Sequence, residues 1–372
     1  MSDEIPEPDR APGAPHPRET PALIGQDTAE RAFLDAYNAD RLHHAWLITG
    51  PRGVGKATLA WRIARFLLAT PRAAEDGLFA ASPAPETLDI DDSHPVATRL
   101  RALSEPRLFL LRRPFDAKTE RLRQDITVDE VRRMKGFFAL SAADGGRRVV
   151  IVDAADEMNV NAANALLKLL EEPPADTVML LISHQPSRLL PTILSRCRTL
   201  RCRSLNPDET VQALRQAGVD PGENAYALNA LSGGSVGAAL RLISLDGLQL
   251  YADIIAILAN PKDRSRALKL ADSASGRANA DRFDLMLELF DLCLSRLART
   301  GIAGPPDPQA APHEASVMIR LCADARAARH WAALHQTLGA RARHGRAVNL
   351  DPAALILDMV LKLNEAAAET AA

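Results

Sequence analysis

Cysteine is scarce in this chain of 372 residues, and so are long apolar runs. The cysteines form no C-x-x-C pair, which argues against a disulfide framework and against a zinc site and favours a reducing cytoplasm. These four residues are Cys197, Cys202, Cys293 and Cys322. No run reaches the roughly 18 apolar residues of a membrane span, so we expect no membrane association.

Net charge is also small. Lys and Arg total 45 against 47 Asp and Glu, a formal charge of −2. A balance of this kind argues against a chain that binds nucleic acid through overall basicity. Residues 1–21 are rich in proline and acidic side chains and lack the apolar stretch of a signal peptide, which predicts a disordered tail.

A glycine-rich loop is the clearest motif in the sequence. The pattern G-x-x-x-x-G-K is complete from Gly50 to Lys56 and contains Gly53 and Gly55. Backbone N–H groups of such a loop cradle phosphate oxygens, and the lysine reaches the terminal phosphates. An accidental glycine-rich turn is the plain alternative. The apolar run at residues 45–49 predicts a buried strand before the loop, and the spacing at residues 56–69 predicts a helix after it. This strand-loop-helix order argues against that alternative.

One residue of this motif is missing. The position after the lysine is normally Ser or Thr, whose hydroxyl holds the magnesium ion of a nucleotide, and here it is Ala57. Thr58, the next residue, is a further candidate for the nucleotide site. Its side chain, however, points about 100° away from the position of Ala57 on a helix, too far round to replace the hydroxyl.

A second acidic position follows a predicted buried strand. Asp153 stands where a P-loop ATPase keeps another magnesium contact. The next residue is Ala154, where ring ATPases carry the glutamate that activates water. Asp156 and Glu157 come later and are interpreted as acids at the start of the next helix. Because loss of a general base costs about 10²–10⁴ in rate, the sequence predicts no intrinsic ATPase activity.

Ser195-Arg196-Cys197 is a further candidate motif. A lone arginine in a loop is usually solvated or paired with a carboxylate. The arginines at positions 196, 198, 201 and 203 are compatible with a phosphate-binding edge and equally with charges that protect an edge strand. The residues alone leave both readings open.

The element pattern predicts an α/β fold. Strands alternate with helices as far as residue 205, which predicts a parallel P-loop sheet domain over residues 22–205. Beyond it the strand pattern stops. We expect a small helical domain over residues 206–246 and an all-helical domain over residues 247–372.

Several motifs together resemble the bacterial clamp-loader subunits of the AAA+ class. They occur in that family's order, and the match covers about residues 22–245. The motifs are His43-His44-Ala45, the loop Gly50 to Lys56, the stretch Asn164 to Pro174, and Ser195-Arg196-Cys197.

The resemblance implies roles for the domains and residues. The helical domains correspond to the family's lid and collar. Gly237, in Gly234-Ser235-Val236-Gly237, stands where the family's ATPase keeps a second-sensor arginine. With Ala57 and Ala154, this favours a non-hydrolysing stator subunit. Arg196 would then be an arginine finger that acts in trans on a neighbouring subunit.

The same resemblance implies partners. They are other clamp-loader subunits (gamma/tau and delta) in a hetero-oligomer, and indirectly the sliding clamp and primed DNA, within a DNA-directed DNA polymerase holoenzyme. No cofactor is required, although the preserved loop is compatible with weak ATP or ADP binding without hydrolysis. Many relatives carry a four-cysteine zinc module, but residues 70–148 contain no cysteine, so we expect no zinc.

Two alternatives remain at this point. The first is an active clamp-loader ATPase of the gamma/tau kind on the same fold. The second is an inert adaptor that uses the fold only for protein contacts, with Arg196 inactive.

Overall fold

The computed structural model describes residues 7–70, 84–140 and 146–371. The chain forms two compact units. One comprises Met1–Gly218 with Ser235–Gly237, and the other comprises Val219–Gly234 with Ala238–Ala372. The division into three domains, with boundaries after residues 205 and 246, stays a prediction.

A five-stranded parallel sheet is the centre of the first unit. Its spatial order is β2-β5-β6-β1-β7, so β1 lies inside the sheet between β6 and β7. The strands are β1 (Ala45–Thr49), β2 (Leu108–Arg112), β5 (Arg148–Asp153), β6 (Thr177–Ser183) and β7 (Arg198–Arg201). A separate antiparallel pair joins β3 (Phe115–Asp116) to β4 (Arg121–Leu122).

Helices cover both faces of this sheet, which is why its inner strands are apolar on both sides. Alternate side chains of β1 enter different cores. Trp46 and Ile48 pack in the core formed with α1 and α2, while Ala45 and Leu47 pack in the core formed with α4 and α5. The helices of this unit are α1 (Asp27–Asn38), α2 (Lys56–Ala69), α3 (Pro95–Arg101), α4 (Val128–Leu140), α5 (Val160–Glu171), α6 (Pro191–Leu194) and α7 (Pro207–Gln216).

The predicted α/β sheet is confirmed. The strands that the sequence predicts occur within one residue of their expected bounds, which are 45–49, 108–111, 149–153, 178–182 and 199–202. The β3–β4 pair was not predicted, because two-residue strands carry no periodic signal. Residues 70–106 are rich in Ala, Pro and Asp, a composition that predicts an insertion, and residues 71–83 of this stretch lie outside the described part. His94 caps α3 by accepting a hydrogen bond from the backbone N–H of Val96 at 3.2 Å.

Acidic residues 156 and 157 do not open the next helix as the sequence suggested. They lie in a 3-10 turn, Ala155–Glu157, and helix α5 begins later, at Val160. The side chain of Asn159 caps it by accepting from the N–H of Ala162 at 2.9 Å. Asn and Asp cap helices about equally well, so residue type does not decide which of them starts the helix. The cap is Asn159 because α5 begins at Val160.

The predicted disordered tail is wrong for residues 7–21, which we call the N-terminal segment. The imidazole of His16 is fully buried and meets Trp61 edge-on, with ring centroids 5.8 Å apart. The carbonyl of Arg18 accepts a hydrogen bond from Arg65 at 2.8 Å. The segment contains turns but no helix or strand, so its proline content excludes regular structure without excluding packing.

The second unit is helical. Its elements are α8 (Ala225–Ser232), most of α9 (Val236–Ser244), α10 (Gly247–Ala259), α11 (Arg264–Asp272), α12 (Ala280–Ala303), α13 (Glu314–Leu321), α14 (Ala325–Ala347) and α15 (Pro352–Ala371). The long helices α12 and α14 pack against each other. No single helix in the described ranges is long and apolar enough to cross a membrane. Helices α9 and α10 meet that criterion only as a bent pair.

A buried charge cluster ties α10, α12 and α13 together. Glu314 is fully buried and accepts hydrogen bonds from the Tyr251 hydroxyl at 2.6 Å and from Arg296 Nε at 2.8 Å. It also accepts from the backbone N–H of Ala310 at 2.6 Å. Removing this carboxylate would leave the largely buried guanidinium of Arg296 without its negative partner and the buried Tyr251 hydroxyl without its acceptor.

We expect Glu314→Ala to lower the free energy of unfolding by about 3–5 kcal/mol, the range for breaking a buried ion pair. Glu288→Ala is the matched control, since Glu288 is exposed and pairs with Arg241 at 2.7 Å on the surface. Its loss should cost about 0–1 kcal/mol. Urea unfolding followed by circular dichroism measures both, and equal losses would contradict the structural role given to Glu314.

Candidate functional site

The glycine loop lies between β1 and α2, at the carboxyl edge of the sheet. Gly50, Gly53 and Gly55 all have positive φ, at 141°, 75° and 99°. At Gly50 an added Cβ would lie 2.3 Å from the carbonyl oxygen of Cys202. The residue must therefore be glycine both for its backbone conformation and for its close approach to the neighbouring chain.

The loop is closed onto its own lysine. Lys56 is only 3% exposed, and its ammonium donates to the carbonyl oxygens of Gly50, at 2.9 Å, and of Pro51. Burial lowers its pKa to about 8, although the nearby Cys202 and Asp153 act in the opposite direction. A phosphate would have to take the place of these loop carbonyls as the partner of Lys56.

The magnesium side of the site does not fit the ion. Ala57 offers a methyl group where an oxygen ligand is required. Thr58 is 8% exposed and lies one residue further along α2, about 100° round the helix. The phosphate side, with three glycines and a lysine, does fit a nucleotide by residue type. The cradle is thus preserved without its metal ligand.

The carboxylate at the end of β5 has unusual electrostatics. Asp153 is 7% exposed, and burial raises its pKa to about 7, with further contributions from the negative charges of Asp9 and Glu157. The following residue, Ala154, is 2% exposed and has no acid–base group. Near neutral pH the Asp153 carboxyl therefore holds a proton for part of the time, which weakens it as a metal ligand.

The acids after Ala154 serve other contacts. Asp156 Oδ1 accepts a hydrogen bond from the backbone N–H of His184 at 2.9 Å and so joins the ends of β5 and β6. Glu157 pairs with Arg113 at 2.8 Å. Both acids thus make contacts within the fold.

Gly237 lies next to the glycine loop, although it is far from the loop in the sequence. Its N–H donates to the carbonyl of Gly53 at 3.3 Å, and an added Cβ at Gly53 would meet Ser235 Oγ at 2.4 Å. A Cβ at Gly237 would lie 3.4 Å from the Cα of Gly53 and 3.8 Å from the Cβ of Ala11. Both distances are those of ordinary van der Waals contacts, so the packing of this residue against the loop does not itself require glycine.

Three residues of the site were missed from sequence. Arg112 ends β2 opposite Asp153 in the sheet register, His184 follows β6, and Asp9 comes from the N-terminal segment. Burial, followed by the charge of Lys56, lowers the pKa of His184 to about 4. The rule that ligand sites form at carboxyl strand ends points to Arg112 and His184. No sequence signal indicates Asp9.

Arg196 lies at the opposite edge of the sheet. It precedes β7, which runs parallel to β1 and begins with Arg198 opposite Trp46. The cradle follows the other end of β1, about 15 Å away along the strand direction. The structure therefore does not bring Arg196 together with Lys56 and Asp153.

A surface ion pair holds the Arg196 guanidinium. Its Nη2 lies 3.0 Å from Glu171 Oε1, and its Nη1 donates to the carbonyl of Thr192 at 3.0 Å. The arginine side chain is 36% exposed and that of Glu171 is 50% exposed. This edge faces solvent in the isolated chain.

The parallel sheet and the glycine cradle between β1 and α2 define a P-loop α/β protein. The family model described as "DNA polymerase III, delta subunit" matches residues 25–206. The DNA polymerase III subunit delta' of Yersinia pestis is 30% identical over 269 residues, which are 70% of this chain and 72% of that relative. The chain belongs to the DNA polymerase III subunit delta' family.

Other relatives match shorter regions. The subunit delta' of Pseudomonas aeruginosa is 44% identical over 200 residues, 54% of this chain and 55% of that relative. The subunit gamma/tau of Mycobacterium tuberculosis is 29% identical over 57% of this chain and 34% of its own length. The chain thus spans about half the length of its P. aeruginosa relative.

The raised pKa of Asp153 predicts a pH dependence of stability. The folded protein keeps this proton to higher pH than the unfolded chain does, so the free energy of unfolding should fall as pH rises from about 4 to about 7. Asp153→Asn removes this slope. Its stabilisation over the wild type should be small near pH 4 and level off above pH 7, at no more than about 4 kcal/mol.

Urea unfolding at a series of pH values measures this difference. Asp129→Asn is the control, because the side chain of Asp129 is 74% exposed on α4. If Asp153→Asn and the wild type show the same pH slope, the electrostatics described for Asp153 are wrong.

Proposed function

We propose that this chain is the delta' subunit of a bacterial DNA polymerase III clamp loader. It joins gamma/tau and delta subunits in a hetero-oligomer and acts as a stator while the loader places the sliding clamp on primed DNA. The observation that carries the proposal is that a member of the delta' family keeps the phosphate cradle and has alanine at positions 57 and 154.

Loss of hydrolysis follows from the chemistry of these two positions. Without a hydroxyl at Ala57, magnesium loses a ligand from the loop. Without a carboxylate at Ala154, no base activates the attacking water. Phosphoryl transfer depends on positioning and on charge neutralisation by the metal, so the two losses reinforce each other. The chain has no intrinsic ATPase activity in this proposal.

Arg196 supplies the catalytic contribution in trans. It is exposed and about 15 Å from the cradle of its own chain along the strand direction, so it serves a nucleotide on a neighbouring subunit. A guanidinium suits that task because its planar fork is always charged and can bridge phosphate oxygens.

The ion pair with Glu171 does not oppose this role. An exposed pair contributes about 0–1 kcal/mol, so exchanging the carboxylate for a phosphate costs little. Glu171 instead holds the arginine at the surface before assembly.

The remaining assignments complete the proposal. The complex is cytoplasmic, needs no zinc in this subunit, and places the chain in the polymerase holoenzyme as a structural member. Residues 206–246 form the lid and residues 247–372 join the collar of the loader.

Two alternatives stay separable by experiment. Similarity to gamma/tau subunits favours an active ATPase on the same fold. The exposed pairing of Arg196 with Glu171 is equally compatible with an inert adaptor.

The purified chain should hydrolyse no ATP above background in the presence of Mg²⁺, because it lacks the metal ligand and the base. The Lys56→Ala variant defines that background, since contaminating activity would survive the substitution. Magnesium-dependent turnover that disappears in Lys56→Ala would favour the gamma/tau-like ATPase.

In a reconstituted loader, Arg196→Ala should leave assembly intact and lower DNA-stimulated ATP hydrolysis. A trans arginine is worth about 10³–10⁵ at a single site, but the total rate will drop less because the other sites keep their fingers. Arg196→Lys should restore little, because an ammonium lacks the fork. Arg201→Ala, an exposed arginine on β7, is the matched control. Unchanged hydrolysis in Arg196→Ala would favour the inert adaptor.

A further inference from the structure

The N-terminal segment runs along the helix that begins at the cradle. Its residue His16 packs against Trp61, and its Arg18 carbonyl is bound by Arg65. Both partners belong to α2, which starts at Lys56. The residues that follow the segment also approach the loop. Leu23 Cδ1 lies 2.7 Å from the position that a Cβ on Gly55 would take.

Two acids of the segment reach the carboxyl edge of the sheet. The side chain of Asp9 is fully buried, pairs with Arg112 at 2.5 Å and lies 3.1 Å from His16 Nε2. Glu7 also pairs with Arg112, at 3.1 Å, and with Arg18 at 2.8 Å. Since Arg112 is opposite Asp153 in the sheet register, the Asp9 carboxylate lies beside the acidic end of β5.

The middle of the segment contacts Gly237, the residue that packs on the glycine loop. The Cβ of Ala11 is 3.8 Å from the Cβ position of Gly237, whose N–H binds the carbonyl of Gly53. The segment therefore contacts Gly237, which packs on the loop, and also the carboxyl end of β2 beside Asp153. The Lys56 ammonium meanwhile donates hydrogen bonds to loop carbonyls and is largely shielded from solvent.

We propose that residues 7–21 are an intramolecular plug that excludes nucleoside di- and triphosphates from an otherwise intact phosphate cradle. The plug works by occupying space at Ala11 and by placing the Asp9 carboxylate where a phosphate would bring further negative charge. Its release uncovers Gly50 to Lys56, and Lys56 exchanges loop carbonyls for phosphate oxygens. This inference holds whether or not the chain is a clamp-loader subunit.

Population arithmetic gives the size of the effect. The apparent dissociation constant equals the intrinsic one divided by the fraction of molecules with an open cradle. A plug closed in nine of ten molecules weakens binding about tenfold, and one closed in 99 of 100 weakens it about a hundredfold.

Binding of N-methylanthraniloyl-ADP, followed by fluorescence anisotropy, tests the plug. The chain without residues 1–21 and the full-length variant His16→Ala should both bind at least about tenfold more tightly than the wild type. His16→Ala removes the contact with Trp61 but keeps Asp9 and Glu7. Tighter binding by this variant would therefore show that the packed segment, and not charge repulsion by its acids alone, excludes the nucleotide. Arg10→Ala is the control, because Arg10 is exposed within the same segment.

Two further measurements make the result decisive. Adding Lys56→Ala should abolish the gained binding, which would assign it to the cradle. In the unaltered chain, saturating ADP should increase deuterium uptake by residues 7–21, because linkage is reciprocal. The proposal is overturned if folded His16→Ala and the truncated chain bind no more tightly than the wild type, or if bound ADP leaves that uptake unchanged.

Discussion

The common direction of the five strands is the constraint on which the site depends. Because β1, β2, β5, β6 and β7 are parallel, the segments that follow them gather at one edge and the segments that precede them gather at the other. The first edge holds the glycine cradle, Arg112, Asp153 and His184. The second edge holds Arg196. The parallel direction of the strands therefore places the glycine cradle and Arg196 at opposite edges of the sheet.

Burial at the carboxyl edge has changed the chemistry of its charged groups. Lys56 has a lowered pKa and Asp153 a raised one, both chiefly because each group is removed from water. In an ATPase the phosphates and the metal would compensate that loss of hydration. Here the Lys56 ammonium donates to loop carbonyls instead. The N-terminal segment adds the Asp9 carboxylate, which pairs with Arg112 of β2. The cradle is stable as a part of the fold, which gives a structural reason for its glycines apart from catalysis.

Much of the sheet could be predicted from sequence. The strand Ala45–Thr49 and the helix Lys56–Ala69 were predicted with their observed bounds, because apolar runs and a glycine loop are local signals. Cradle residues followed from the same motif. The two-residue strands β3 and β4 could not be predicted, since nothing periodic marks them. Asp9 and the packing of residues 7–21 were missed. A proline-rich composition indicates that a segment forms no helix or strand, but it does not show whether the segment packs against the rest of the chain.

Sequence alone determined which chemical groups this protein has and which it lacks. Ala57 has no oxygen atom in its side chain and Ala154 has no carboxylate, wherever the chain places them, and Gly50, Gly53 and Gly55 permit the loop conformation. Only the tertiary structure decided what those groups meet. It set Arg196 at the edge away from the cradle, brought Gly237 onto Gly53, and put Asp9 beside Asp153. These are contacts between residues up to 184 positions apart (Gly53 and Gly237), and no local pattern encodes such distances because they result from the packing of whole elements.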